Sequence, residues 1–175
     1  MHAPAAMSVS GAVPALAKLP GRADSPAIIV QGIPSVSESA VQLIQTRWWS
    51  LPVSDDWQFE TEEGTVIITD TDEVGSVELS VIELEGGVSG GVGELNELAA
   101  EFVPGGLTGS HVNCGDWQGL LFEYSNGDYC RDWVLHCDGK VLIISYTCGE
   151  EHQGMDDTAV DQMLAELRQI SQDDV

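Results

Sequence analysis

Two dipeptides in the second half of the chain constrain its fold most strongly, because each is typical of the centre of a tight hairpin. Asn126-Gly127 and Asp138-Gly139 both stand between apolar or aromatic runs. Such dipeptides are preferred in the two-residue loops that join antiparallel strands. Together they predict a three-stranded antiparallel meander that begins near Asn113.

The two turns also predict which side chains share a face of this meander. In a two-residue loop the flanking residues face each other, so we expect Ser125 to oppose Asp128 and Cys137 to oppose Lys140. One face is then almost entirely apolar or aromatic: Leu120, Phe122, Tyr124, Tyr129, Trp133, Leu135, Leu142, Ile144 and Tyr146. The other face is mixed: Trp117, Glu123, Cys130, Asp132, Val134, His136, Val141, Ile143, Ser145 and Thr147.

The rest of the chain alternates strand and helix patterns. Apolar and β-branched runs predict strands at 48–53, 65–70 and 76–84. Helical spacing predicts helices at 37–46, over Leu95 to Phe102 before Pro104, and at about 157–170. In the last helix, Thr158 and Asp161 have capping-box spacing. We therefore expect an α+β fold in which an antiparallel sheet of about six to seven strands is flanked by helices.

The first part of the chain has a different composition. Residues 1–34 are rich in Ala, Pro, Ser and Gly, with few large apolar side chains to offset the entropy of ordering. We interpret them as a flexible tail and residues 35–175 as a single domain. The apolar stretch near the start is interrupted by Pro14 and lacks a basic beginning, which disfavours a signal peptide. We expect a cytoplasmic protein, with secretion left open.

Four segments resemble the PsbP-like superfamily in the order and type of their elements. They are RWWSLPVSDDWQ, SVELSV, GDWQGLLFEYSNGDYCRDWVLHCDGKVLIISYTC and DDTAVDQMLAELR, within roughly residues 47–170. The superfamily includes an extrinsic photosystem II subunit, a nuclear-import factor that binds Ran, and bacterial chaperones of type VI secretion effectors. The resemblance implies a curved antiparallel sheet between helices and a non-enzymatic binding role. It implies no site residue, and the tail and four cysteines depart from it.

Charge excludes several classes of partner. The formal net charge is -23, and no Lys or Arg occurs between Trp48 and Cys130, where 17 of the 29 acidic residues stand. A phosphate backbone is bound through cationic side chains, so nucleic acid is excluded, and an anionic membrane surface is disfavoured. A basic protein partner is the expectation that remains, although adaptation to high salt would give the same acidity. The oligomeric state stays open.

Two loops carry patterns that are typical of catalytic or metal sites. Residues 87–91 match G-x-S-x-G, which would make Ser89 a nucleophile, but such an elbow belongs to a parallel sheet and needs a nearby histidine. The acidic run 70–73 resembles the start of a calcium loop, yet Val81 stands where the closing carboxylate is needed. We therefore predict a glycine loop and an acidic turn, with no catalytic residue.

The cysteines do not indicate a metal centre. None has C-x-x-C spacing, so we expect no zinc site, no metal and no cofactor. Cys114 and Cys137 would be diagonal neighbours, where a disulfide or, with His111, a metal site is an alternative to free thiols. Cys130 next to acidic residues is expected to have a raised pKa and to be a poor nucleophile.

Arg131 is the residue with the strongest indication of a binding role. It falls on the aromatic face, where a cation must reach water, stack on rings or meet a carboxylate. Either it lies at an edge and extends to solvent, or it anchors a ligand in a pocket lined by Tyr124, Tyr129 and Tyr146.

These observations favour a non-enzymatic binding, adaptor or chaperone-like module for a protein partner. The alternative is a small hydrolase or ligand-binding protein with a pocket near Arg131 or Ser89. An enzyme would need a histidine or carboxylate within hydrogen-bond reach of its nucleophile, which a binding module would lack.

Overall fold

The computed structural model describes the backbone of residues 29–33 and the whole of residues 40–171. The described elements follow in chain order: β1 Ile29–Ile33, β2 Val41–Gln45, β3 Trp49–Ser54, β4 Trp57–Glu62, β5 Thr65–Asp70, β6 Gly75–Ile82, α1 Val92–Ala99, β7 Ser110–Cys114, β8 Trp117–Ser125, β9 Asp128–Cys137, β10 Lys140–Gly149, a 3₁₀ turn Glu150–His152, α2 Asp157–Ala165 and β11 Arg168–Gln169. Neither helix is long and apolar enough to cross a bilayer.

Two antiparallel sheets form the framework. The large sheet has seven strands in the order β4-β5-β6-β10-β9-β8-β7, and the small one has the order β1-β2-β3-β11. The small sheet and α2 pack on what we call the first face of the large sheet, while α1 packs on its second face against β8 and β9. The predicted α+β architecture, a seven-stranded sheet flanked by helices, is therefore confirmed.

Each face of the large sheet has its own hydrophobic core. On the first face the core joins Trp133, Leu135 and Tyr146 of the large sheet to the small sheet and α2. On the second face it joins Leu120 and Val134 to one side of α1. Side chains alternate between the faces along each strand, so β9 contributes to both cores with successive residues.

The two hairpins of the meander differ in register. The second matches the prediction, because Cys137 pairs with Lys140, and both loop residues have positive φ, 46° and 76°. The first does not: Ser125 pairs with Tyr129 and not with Asp128, which leaves a three-residue loop. In this loop only Gly127 has positive φ, 83°, and the amide of Asn126 donates to the carbonyl of Asp128 at 2.9 Å.

This shift of one residue reverses the predicted faces of β8. Since side chains alternate along a strand, a slip by one position moves every side chain to the other face. Leu120, Phe122 and Tyr124 therefore belong to the second face, whereas Glu123 and Trp117 lie on the first. The predicted faces of β9 and β10 are correct.

The start of the domain also differs from the prediction. The prediction of a helix at 37–46 is wrong for the described part of that range, since Val41–Gln45 forms strand β2 and pairs with β3. Ile44 is fully buried in the first core, so strand pairing and burial outweigh a short helical pattern. Ile29–Ile33, within the predicted tail, pairs with β2 as β1. Residues 1–28 and 34–39 lie outside the described residues.

The final helix is shorter than predicted. It ends at Ala165, and the chain then pairs with β3 as β11, while the amide of Ile170 donates to the carbonyl of Trp48 at 2.9 Å. The expected capping box is absent from this helix, because Asp156 occupies the cap position and makes no side-chain cap bond. Strand β4 was not predicted from the sequence, because its exposed residues are polar.

Candidate functional site

Arg131 lies inside the molecule, on the first face, with only 4% of its surface exposed. Its register partners are Glu123 on β8 and Tyr146 on β10. The guanidinium also lies over the ring of Trp133, 4.8 Å from its centroid. The interpretation of Arg131 as an edge residue that extends to water is therefore wrong.

Three carboxylates surround this guanidinium. Nε lies 3.2 Å from Oε1 of Glu123, Nη2 lies 2.9 Å from Oδ1 of Asp161, and Nη1 lies 3.8 Å from Oδ1 of Asp157. Burial alone would lower the pKa of Arg131, but Asp161, Asp157 and Glu123 outweigh it and raise the pKa. Two of the carboxylates belong to α2, so the cluster joins that helix to the sheet.

The tyrosines of the predicted pocket fall on two sides of the sheet. The hydroxyl of Tyr129 lies 3.2 Å from both Glu123 and Asp157, next to the guanidinium. Tyr146 is on the same face and donates to Asp156 at 3.0 Å. Tyr124 lies on the second face, so the structure does not bring it to Arg131. Ligand binding by these four residues stays a prediction, and the contacts of Arg131 are with the protein's own carboxylates.

A buried carboxyl group on the second face was not singled out by the sequence. Asp132 is 4% exposed and accepts hydrogen bonds from the hydroxyls of Ser145 and, at 2.6 Å, Tyr124. Burial raises its pKa, against the effect of these two hydrogen bonds. Burial, and then Asp132, also raise the pKa of the Cys130 thiol, as predicted.

Ser89 is held by a carboxylate. Oε2 of Glu94 accepts hydrogen bonds from the Ser89 hydroxyl at 2.7 Å, the Ser89 amide at 2.9 Å and the Gly90 amide at 3.2 Å. These bonds, led by the Ser89 hydroxyl, lower the pKa of Glu94. A carboxylate with a lowered pKa is a weak base, and the surrounding sheet is antiparallel. The arrangement is that of a helix start, since Glu94 is the third residue of α1.

A histidine lies close to this loop. A Cβ atom on Gly90 would overlap the ring of His136, so the glycine backbone lies directly on the imidazole. Next to it runs a groove of about 480 Å³ between the start of α1 and strands β7, β8 and β9. The polar side chains that line it include His111, Asn113 and Gln118.

A second, smaller groove lies over β4 and β5. It has a volume of about 260 Å³, and its lining includes Gln58, Glu60, Ile67, Asp70 and Glu73. The acidic turn at its end is closed by the protein itself, because Oδ1 of Asp70 accepts the amide of Val74 at 2.9 Å. Within residues 40–171, no three His, Cys, Asp or Glu side chains are grouped to hold a metal ion.

Basic side chains are confined to one side of the described part. Arg131 is on the first face. The charged groups of Arg47 and Lys140 lie 4.5 and 4.8 Å from the centroid of the Trp48 ring, and Nη1 of Arg168 lies 3.4 Å from Oδ1 of Asp116. Trp48 itself belongs to the first core. The second face therefore carries carboxylates, and none of the described Lys or Arg stands on it.

All four cysteines are free thiols. Burial raises the pKa of Cys114 to about 11, and it also raises that of Cys137. Thiols with raised pKa values are poor nucleophiles and poor metal ligands at neutral pH.

Comparison with known proteins gives a likeness in fold. No protein-family model and no curated protein sequence matches the chain. Among solved structures, a protein from Bacteroides thetaiotaomicron VPI-5482 is similar at a TM-score of 0.55 and 20% identity, over 72% of this chain and 46% of that one. The chain thus covers less than half of that protein's length. Cyanobacterial PsbP (CyanoP) from Synechocystis sp. PCC 6803 is similar at a TM-score of 0.55 and 11% identity, over 80% of this chain and 98% of that one.

Proposed function

We propose that the chain is a non-enzymatic binding module of the adaptor or chaperone-like kind, which holds a basic segment of a protein partner. The binding surface is the second face of the large sheet over β4, β5 and β6, which we call the acidic surface. We further propose that the chain is a member of the PsbP-like superfamily, which its likeness in fold to CyanoP supports.

The observation that carries the proposal is the separation of charge between the two faces. On the acidic surface Gln58, Glu60 and Glu62 are exposed, and the groove beside them includes Glu73. The described Lys and Arg stand on the other side of the sheet. A surface that carries only negative charges attracts a positively charged partner and speeds its association, most strongly at low salt.

A carboxylate does lie within hydrogen-bond reach of Ser89, as the enzymatic alternative requires, but the state of the groups gives that alternative less support. The Ser89 hydroxyl donates to a carboxylate whose pKa is lowered, and the Arg131 guanidinium meets three carboxylates of the same chain. We take these contacts to favour a binding module, because a general base works best with a pKa near the operating pH and a guanidinium paired with the protein's own carboxylates has less to offer a ligand.

A comparison of two charge-reversal variants tests the proposal. Wild-type protein is used at low salt to retain partners from its native lysate, which are released by a salt step and identified by mass spectrometry. The variant Glu60→Lys with Glu73→Lys should lose a basic partner, with affinity lowered about tenfold or more in titrations of the purified pair. The control, Glu97→Lys with Glu101→Lys, makes the same change in net charge on exposed positions of α1 and its end.

The two charge-reversal variants distinguish a specific acidic surface from an effect of net charge. A basic partner that is lost with the Glu60 and Glu73 variant but kept by the control supports the acidic surface. Equal loss with both variants would mean that only net charge matters, and retention by both would place the partner elsewhere. Either result overturns the proposed surface.

A further inference from the structure

The larger groove, between the start of α1 and strands β7, β8 and β9, has the chemistry of a second binding site. We propose that it binds a neutral saccharide. Its volume of about 480 Å³ lies within the range of about 300–1,000 Å³ that is typical of small-molecule pockets. It is separate from the acidic surface over β4, β5 and β6.

The floor of the groove is a row of amide and imidazole side chains. Asn113 pairs with Gln118 and Gln118 with His136, so these side chains project from three neighbouring strands on one face. His111, two residues before Asn113, projects on the same side. The structure gives none of these four side chains a hydrogen-bond partner within residues 40–171. Amide and imidazole groups form hydrogen bonds readily, which matches a ligand rich in hydroxyls.

The opposite wall of the groove is apolar. It is formed by Val92 and Leu95 of α1, and Val92 is 45% exposed, one of three large apolar side chains that the described residues leave exposed. A pyranose ring has an edge of hydroxyl groups and a face of C–H groups. A groove with a polar floor and an apolar wall is complementary to both, as small-molecule sites with a few placed polar groups commonly are.

The electrostatics of the groove favour a ligand without charge. The described Lys and Arg lie on the other side of the sheet, and the carboxylate of Glu94 lies next to Ser89 and Gly90 of the groove's lining, so an anion is repelled. The carboxylate of Glu94 is already occupied by Ser89 and the Gly90 amide, so it offers little to a cation. What remains available to a ligand is the row of amide and imidazole side chains.

The loop above the groove fixes the position of one of these groups. Gly90 has φ of 75°, which glycine adopts readily and other residues seldom do, and its backbone packs on the His136 ring. The ring is thereby held in one place before a ligand arrives. Preorganisation of this kind lowers the entropic cost of binding.

The test is binding of simple sugars to the whole chain. Glucose, galactose, N-acetylglucosamine, cellobiose and maltose are screened at millimolar concentration by saturation-transfer NMR, and any that bind are titrated by calorimetry. Asn113→Ala and Gln118→Ala, both at exposed positions, should each weaken binding about three- to tenfold through the loss of hydrogen bonds. Gln58→Ala, a matched exposed amide on β4, should leave binding unchanged.

Several results would overturn the proposal. They are the absence of binding by every sugar in the panel, binding that Asn113→Ala and Gln118→Ala leave intact, and glucuronate binding as tightly as glucose. A nucleoside that binds where the sugars do not would assign the groove to another neutral ligand and would also contradict it. The protein-partner proposal is independent, because the Glu60 and Glu73 variant should keep sugar binding.

Discussion

At the scale of single residues, the molecule contains a buried cation and a buried acid on opposite faces of one strand. Arg131 and Asp132 are neighbours in β9, and each is 4% exposed. They do not neutralise each other, because alternation along the strand directs them to different faces. Arg131 contacts carboxylates on β8 and α2, whereas the Asp132 side chain is hydrogen-bonded only to hydroxyl groups. The two residues should therefore respond differently to mutation and to pH.

Arg131→Met should be strongly destabilising. The change keeps an unbranched apolar stem but leaves Asp157, Asp161 and Glu123 close together without their cation. We expect the free energy of unfolding to fall by about 2–4 kcal/mol, towards the low end for a broken buried ion pair because two of the carboxylates are roughly half exposed.

Urea denaturation at neutral pH measures this loss, with Arg168→Met as the control. Arg168 is 57% exposed and forms its ion pairs at 3.4 and 4.0 Å, so its replacement should cost about 0–1 kcal/mol. Equal losses for the two variants would show that the Arg131 cluster contributes no more than a surface ion pair.

Asp132 should make the stability of the protein depend on pH. Its pKa in the folded state is raised above the ordinary value of 3.8, so folding favours the protonated form. Its contribution to stability is therefore complete below the unfolded pKa and is lost as pH rises through the folded pKa. Asp132→Asn lacks this titration, so wild type should lose stability relative to the variant as pH is raised from about 4 towards neutrality.

Unfolding free energies of both proteins across this pH range provide the measurement. Tyr124→Phe adds a second comparison, because the Tyr124 hydroxyl lowers the pKa of Asp132 and its removal should steepen the dependence. A difference between wild type and Asp132→Asn that stays constant with pH would contradict the prediction.

At the scale of elements, the loops determine on which face of the sheet, and next to which residues, the side chains lie. The three-residue loop at Gly127 shifts β8 by one position, and that shift brings Glu123 next to Arg131 and moves Tyr124 away from it. The loop before α1 has a comparable effect, because it places a backbone turn on the His136 ring. Both effects depend on glycine residues with positive φ.

Two glycines near the start of α1 should respond in opposite ways to alanine. Gly90→Ala forces a positive φ on a residue with a side chain and drives its Cβ into the His136 ring, so we expect a loss of about 1–3 kcal/mol. Gly93 lies within α1, its added Cβ would meet nothing within 4 Å, and alanine is the better helix former, so Gly93→Ala should gain about 0.5–1 kcal/mol. Thermal unfolding of the two variants measures both changes in stability. Changes of the same sign in the free energy of unfolding would contradict this account of the loop.

At the scale of the whole molecule, the dominant feature is a large negative charge that is unevenly distributed. The formal net charge is -23, and the described Lys and Arg lie on the first side of the large sheet. Repulsion among the carboxylates opposes the compact state, and it acts over distances that salt can screen. The buried Arg131 cluster is much less accessible to such screening.

Stability should therefore rise with salt. Between about 0.02 and about 0.3 M NaCl the Debye length falls from more than 20 Å to roughly 6 Å, which screens most repulsion between exposed carboxylates. We expect the urea midpoint to increase over this range in the wild type, and to increase less in the variant Glu60→Lys with Glu73→Lys. A midpoint that does not change with salt would show that carboxylate repulsion has little influence on folding.

The sequence by itself determined the fold class, the meander, the strand at 65–70 and the approximate positions of β3, β6, α1 and the start of α2. These follow from local signals: hairpin dipeptides, alternation, helical spacing and the proline after α1. The tertiary structure decided what local signals leave open. A helical pattern at 37–46 became strand β2 because pairing with β3 buries Ile44, and α2 ended early because β11 also pairs with β3.

The candidate sites show the same division. The sequence singled out Arg131 and expected Cys130 to be unreactive, because residue type and strand position are local properties. It could not find the partners of Arg131, since Asp157 and Asp161 are 26 and 30 residues away and the register of Glu123 depends on one loop residue. Nor could the sequence show that Asn113, Gln118 and His136 form one row. That row exists only after three strands pair, because cross-strand neighbours are set by register and not by distance along the chain.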